Sequence, residues 1–309
     1  MNYYVVDSVK GGCGKTSLAI WKALELQRES DEETPLKVCY IDLDMLGTSV
    51  EKFIGKNKCK DVLYLNDLFK LSRGGVKKGR VKSDMHFSFT NNSQEYHLTK
   101  NYTEDDIIIG MIFSSPEQNQ KNLFRPNFPT NGERVDYGFF ARLIQELFDE
   151  LADGGYTDIV IDMPPNSDPY TDSIFDILLH QNFSSEISED TVNLLLVSTY
   201  DRAHINANQE WCINLQHKDQ KWKEFNSIDC YFNDVRYSIH GNIIKNGTKT
   251  ISDLISSMYN KIKQSYEGSL HVKTVDFSEN LSLGVIDDSR EWVIDLKIQE
   301  IDLESKTEI

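Results

Sequence analysis

The residues best suited to chemistry come early, in "VKGGCGKTSLAI" (9–20). Lys10 and Lys15 flank Gly11, Gly12, Cys13 and Gly14, and the hydroxyls of Thr16 and Ser17 follow. With so little side-chain bulk between the lysines, the backbone N–H groups of this loop can curl around one anion. A helix starting near Lys15 would add its unpaired N–H groups and the positive end of its dipole. Lys15 is then placed to reach the β- and γ-phosphates of a nucleoside triphosphate, Thr16 to ligate Mg²⁺, and Ser17 to extend the phosphate-contacting run. The plain alternative is a Gly-rich turn from strand to helix.

Acids stand at two further points. In "YIDLDMLGTS" (40–49), Asp42 and Asp44 alternate at a strand end, so the period of two turns both to one side of a sheet, toward one metal or water. In "IVIDMPPNSD" (159–168), an apolar run ends at Asp162 and two prolines stop the strand and stiffen the exit. An acid so placed can hold Mg²⁺ through water, opposite Thr16. Each acid motif also has a plain reading, as solvated carboxylates closing a strand. Asn233, at the end of "CYFND" (230–234), offers donor and acceptor together, although asparagine also serves turns for local reasons.

These groups need a scaffold that brings strand ends together. "YYVVDSV" (3–9) is a continuous apolar run, as expected of a strand covered on both faces. Further strands are predicted at 37–44, 105–115, 157–165, 191–199, 228–234 and 271–277. Helices are predicted from Thr16 to the acidic loop "ESDEETP" and over 137–155, where Gly154 and Gly155 end an amphipathic run. Strands alternating with helices predict an α/β fold, a doubly wound, mostly parallel sheet with helices on both faces and its site at the carboxyl ends of the strands. Residues 83–104, rich in Asn, Ser and His, read as a long irregular insertion.

The run Lys10-Gly-Gly-x-Gly-Lys-Thr departs from the usual phosphate-loop spacing, with Val9 where a glycine is common. It resembles the deviant P-loop of the ParA/MinD family of ATPases, which also includes ATPases that target tail-anchored proteins or drive arsenite export. The resemblance covers residues 1 to about 285 and implies a P-loop NTPase fold, ATP and Mg²⁺ as cofactors, and an ATP-dependent homodimer. It implies that Lys10 is the signature lysine that reaches the nucleotide of the other subunit. Asp44 matches the family's water-positioning switch residue, Asp42 its acid near Mg²⁺, and Asp162-Met-Pro-Pro its hydrophobic-Asp-x-Pro-Pro motif. Asn233 matches an asparagine that recognises the adenine edge. Met45 departs from the pattern, which has proline there. The resemblance assigns Lys10, Lys15 and Asp44 to catalysis, and Thr16, Asp42 and Asp162 to the metal. Amide ligases sharing the P-loop usually lack the lysine at position 10, and bacterial tyrosine kinases end in a tyrosine cluster, whereas the last tyrosine here is Tyr266. A ligase or kinase acting on a small molecule, or a nucleotide-bound scaffold of low activity, are the alternatives.

Composition limits the partners. The chain has 309 residues, enough for one large domain, and a formal charge of -16 that repels nucleic acid and anionic lipid unless basic residues cluster. One cluster exists, "KLSRGGVKKGRVK" (70–82), with six Lys/Arg and no acid. It can face DNA phosphates, an acidic partner or solvent. Five scattered cysteines without CxxC spacing suit a reducing cytosol, and Cys13 reads as a small apolar loop residue. No apolar run approaches the roughly 20 residues of a membrane span. The expected organisation is a single ParA/MinD-like domain over 1–290, a loop-rich insertion around 72–104, and an acidic tail over 291–309. It opens directly on its first strand, with no DNA-reading helix-turn-helix before it, in a cytoplasmic protein whose partner stimulates hydrolysis or is carried as cargo. Asp201 is expected to cap a helix, and Arg202 and His204 to lie on that helix's exposed start or to face a partner subunit.

Overall fold

A computed structural model of the chain describes residues 1–31, 33, 35–45, 64–66, 88–91, 94–104, 107–114, 137–165, 169–179, 190–199, 201–216, 225–234, 251–276, 296–301 and 303. Its strands are β1 (Asn2–Asp7), β2 (Val38–Asp42), β3 (Ser88–Asn91), β4 (Gln94–His97), β5 (Thr99–Glu104), β6 (Ile107–Ile112), β7 (Asp158–Asp162), β8 (Thr191–Ser198), β9 (Ser227–Asp234), β10 (Ser269–Asp276) and β11 (Lys297–Glu300). Its helices are α1 (Lys15–Arg28), α2 (Tyr137–Asp153), α3 (Pro169–Leu179), α4 (Arg202–Gln216) and α5 (Ile251–Ser265).

Nine strands form one sheet in the order β11-β10-β9-β8-β1-β7-β2-β6-β5. Every pairing from β10 to β6 is parallel, and the two edge strands β11 and β5 run antiparallel to their neighbours. Parallel neighbours need crossovers long enough to carry a helix, which is why the apolar runs of this chain alternate with helices.

Alternation along the strands sends apolar side chains to two cores. Tyr3, Val5, Cys39, Ile41, Ile159, Ile161, Leu194 and Leu196 meet α2, α3, α4 and α5 on one face, through residues such as Ile144, Phe148, Phe175, Ile205 and Ile262. Val6, Val38, Tyr40, Val160, Leu195, Val197 and Tyr231 meet α1 on the other, through Leu18, Ile20, Ala23 and Leu24. With both faces covered, the central strands read as unbroken apolar runs rather than alternating ones. At the end of α2 the N–H groups of Gly154, Gly155 and Tyr156 close onto Glu150, Ala152 and Leu151, and Gly155 takes φ 78°, where a side chain would be strained.

Two expectations change. Within 83–104 the described residues are strands, not irregular chain: β3 and β4 pair as a separate antiparallel hairpin and β5 edges the main sheet. Leu98, fully buried in the core, anchors this stretch between β4 and β5. Polar residues dominate strands that lie at an edge or outside the main sheet, so their composition hid them. The segment expected as an acidic tail contributes β11, with Ile298 packed beside the α1-side core. No helix among the described residues is long and apolar enough to cross a membrane.

Phe148 stands 5.2 Å, centroid to centroid, from Tyr3 and ties α2 to β1. Phe148→Ala is expected to cost about 3–5 kcal/mol, read as a lower urea midpoint at unchanged slope.

Candidate functional site

The phosphate-type loop leaves β1 and enters α1 without the usual helix cap. Gly14 occupies the N-cap position with φ 94°, no side chain bonds the first N–H groups, and the first turn holds no acid. The donors and dipole of α1 are therefore left for an anion. Gly12 also takes a positive φ, 75°. A Cβ on Gly14 would run into the Asn233 amide, so both conformation and space demand glycine there. Lys15 is buried, its Nζ 3.4 Å from the Lys10 carbonyl. Cys13 is buried, and desolvation raises its thiol pKa, the opposite of a reactive thiol. Gly11, on the exposed outer side of the loop, faces Pro165 of the third motif. Thr16 and Ser17 follow, half-buried, in the first turn of α1.

Two acids converge beside this loop. Asp42 and Asp162 close adjacent parallel strands and are direct register partners, on the α1 side of the sheet. Both are buried. Burial, followed by the charge of Asp162, raises the pKa of Asp42. Burial also raises Asp162, while the Thr16 hydroxyl and then the charge of Lys15 pull it back down. Asp162 Oδ1 has no hydrogen-bond partner among the described residues. A buried carboxylate oxygen left open beside a lysine and a threonine hydroxyl fits the outer shell of a hard cation held with phosphate.

Asp44 lies just past the end of β2 and is partly exposed. Its N–H donates to Asp42 Oδ1 at 3.0 Å, a local bond just past the strand end, while Leu43 and Met45 stay in the core with Cys39 and Ile41, so the two-residue alternation carries on to Met45. Met45 is buried, and its N–H donates to the Leu43 carbonyl at 2.8 Å. A proline at 45 would have no N–H to give, so the departure from the family pattern adds a bond to this turn.

A second set of contacts grips the loop from α4. His204 Nε2 meets Ser8 Oγ at 2.7 Å, and Asn208 one turn later accepts from the Val9 N–H at 2.9 Å. The Thr199 N–H points at His204 Nδ1, 3.3 Å away, which makes Nδ1 the acceptor and Nε2–H the donor. Burial pushes the His204 pKa down to about 4, so it is neutral near pH 7. Asp201 caps α4 by accepting the His204 N–H at 2.8 Å, as expected. It also receives Lys10 Nζ at 3.3 Å, both side chains being about half exposed. The expectation for Arg202 and His204 divides: Arg202 is exposed, but His204 is buried against the loop.

Asn233 donates to the Cys13 carbonyl at 3.0 Å. In this structure its amide braces the phosphate loop, the contact that also forbids a side chain at Gly14. The basic run 70–82 lies outside the described residues, as does Leu46.

Sequence reasoning passed over Tyr40, Ser114, Asn208 and Ser8, and read His204 as an exposed helix start. Tyr40 was within reach: it precedes Asp42 by two on one strand, and its hydroxyl meets Asp162 Oδ2 at 3.1 Å. Ser114 was not, since its 2.6 Å bond to Asp42 Oδ2 depends on how β6 registers with β2.

A nucleotide-type loop after the first strand, acids at two neighbouring strand ends and a parallel sheet define a P-loop NTPase fold. No family model matches the chain, and no curated protein matches its sequence. Solved structures do match in shape. A McdA–ATP complex from Cyanothece superposes with a TM-score of 0.51 at 16% identity, over 91% of this chain and 85% of the other. A protein from Borrelia burgdorferi described as a plasmid partition protein, bound to AMPPNP, gives 0.50 at 15%, over 94% and 92%. The cell division ATPase MinD of Pyrococcus furiosus gives 0.50 at 14%, over 92% and 86%. The fold is that of the ParA/MinD ATPases.

The His204 contacts carry a pH prediction. A base whose folded pKa is depressed contributes stability that is present above its unfolded pKa near 6.5 and is lost as pH falls toward about 4. His204→Gln should cost about 1–2 kcal/mol at pH 8, and the gap to wild type should narrow between pH 6.5 and 4 in urea titrations.

Proposed function

We propose that this chain is an ATP-binding and ATP-hydrolysing switch of the ParA/MinD type, dimeric when it holds nucleotide, that partitions or positions DNA or a protein cargo. The observation that carries the reading is the convergence of Lys15 and Thr16 on Asp162, whose Oδ1 is open, at the mouth of an uncapped helix. Support also comes from the solved structures of this fold named above, two of which hold ATP or its analogue.

In this reading the loop amides from Gly11 to Thr16 bind the phosphates, with Lys15 and the α1 dipole concentrating positive charge on the β- and γ-groups. Thr16 and Asp162 would hold Mg²⁺, Asp162 through water, with Asp42 beside them. Mg²⁺ held there would neutralise charge on the triphosphate and on the ADP that leaves. Asp44, at the exposed end of the acid turn, accepts a hydrogen bond from the attacking water and aims it. Lys10 adds charge from the other subunit. To do so it must leave Asp201, an exposed pair worth only about 0.2–1 kcal/mol and therefore easily exchanged. Asn233 remains a candidate for the adenine edge, reached with whatever hydrogen-bonding capacity its contact to Cys13 leaves. Cytoplasmic placement follows from a nucleotide-driven cycle and from scattered thiols.

Release of phosphate from Mg·ATP with no added acceptor tests the hydrolase reading against a ligase or kinase, which would release none. Lys10→Ala should keep ATP binding within about threefold while lowering turnover by about 10²-fold or more. Light scattering should show dimers with ATP and monomers with ADP. For cargo, retention on DNA at moderate salt that is lost on neutralising Lys77, Lys78 and Arg80 supports partitioning; no retention at any salt points to a protein cargo.

A further inference from the structure

Two buried carboxylates, Asp42 and Asp162, present four oxygens at neighbouring strand ends, and donors reach three of them. Asp42 Oδ1 accepts the Asp44 N–H at 3.0 Å. Asp42 Oδ2 accepts the Ser114 hydroxyl at 2.6 Å, with the Ser114 N–H at 3.4 Å. Asp162 Oδ2 accepts the Tyr40 hydroxyl at 3.1 Å. Among the described residues, Asp162 Oδ1 alone of the four has no hydrogen-bond partner. Tyr40 is fully buried and belongs to the core beneath α1, so its ring is fixed by packing and its hydroxyl has a set direction.

We propose that Tyr40 and Ser114 are positioning residues that divide the acid pair: Tyr40 turns Asp162 so that Oδ1 faces the metal–phosphate site, while Ser114 and the Asp44 N–H commit Asp42 to bracing the switch turn instead of the metal. This rests on the Mg·ATP reading above and refines it, because it moves Asp42 out of the metal set. The geometry has a direct rationale. A carboxylate that is free to rotate offers a cation two equivalent oxygens and pays to order them; one oxygen tied to a rigid phenol leaves the other aimed in advance. Both Asp42 oxygens already hold a donor, and the bond to Asp44 ties it to the residue that, in this reading, orients the water.

A packing-only account of Tyr40 is the alternative. A buried phenol needs an acceptor, and Asp162 could be merely the nearest. The two accounts differ in what happens to metal dependence. Outer-sphere partners of metal-bound carboxylates affect metal affinity by about 10- to 100-fold, whereas loss of a packing contact affects stability and leaves the ratio of Mg²⁺-dependent to Mg²⁺-free binding alone.

The test is calorimetric titration of the full chain with ATP, in Mg²⁺ and in EDTA, for wild type, Tyr40→Phe, Tyr40→Leu and Ser114→Ala, with thermal melting to confirm folding. The two Tyr40 variants fill the site differently, so either one that folds gives the answer. The expected result is that removing the phenol weakens ATP binding about tenfold in Mg²⁺ and less than twofold in EDTA. Ser114→Ala is expected to leave the Mg²⁺ enhancement within about threefold of wild type while slowing phosphate release through the Asp44 turn. Unchanged Mg²⁺ enhancement in a folded Tyr40 variant overturns the role of Tyr40. A tenfold loss of that enhancement in Ser114→Ala overturns the division and returns Asp42 to the metal. Wild type with no ATP affinity in either buffer would instead remove the underlying functional reading.

Discussion

The site is organised around charge that has been buried before its counter-charge arrives. Asp42 and Asp162 are register partners on adjacent parallel strands, and taking both out of water carries a desolvation cost. Burial raises both pKa values, and Lys15 relieves Asp162 only in part. A fold that keeps two carboxyls in this condition gives up stability at neutral pH. The cost makes sense when a cation and a polyphosphate belong between those acids and the loop.

Other features of the structure serve this arrangement. The parallel order puts β7 beside β1 and β2 beyond it, so that both acids come from strands on one side of the loop. Helix α1 presents an uncapped end to the same space. Helix α4 fastens residues 8 and 9 from the far side through His204 and Asn208, and Asn233 fastens Cys13. The loop is thereby held at three points, Ser8, Val9 and Cys13, with Lys15 buried behind it. Lys10 sits on Asp201 at the rim, its side chain about half exposed and free to change partners.

Much of this was legible in the residues. The lysines and glycines of 10–16 and the acid at 162 followed from local spacing, because a strand-loop-helix turn and a strand terminus are local structures. The central strands were legible because burial on both faces leaves continuous apolar runs. What stayed hidden depends on packing between distant segments. The hairpin β3–β4 and the edge strands β5 and β11 carry mixed, polar sequences that resemble loops. Ser114 meets Asp42 only through the register of β6 with β2. His204 looked like an exposed helix start, yet the capping bond of Asp201 turns it inward toward Ser8. The strand ends at Asp42, two residues before the predicted end, yet the alternation of core residues runs on through Leu43 and Met45.

The central claim concerns one place in space: the volume bounded by the loop amides, Lys15, Thr16 and Asp162. A crystal structure of the chain grown with Mg²⁺ and a non-hydrolysable ATP analogue tests it most directly. The account predicts the β- and γ-phosphates over Gly11–Thr16, with the metal beside the Thr16 hydroxyl and one of its waters on Asp162 Oδ1. Nucleotide density elsewhere on the sheet, or a metal whose shell does not include Asp162 even through water, would contradict it.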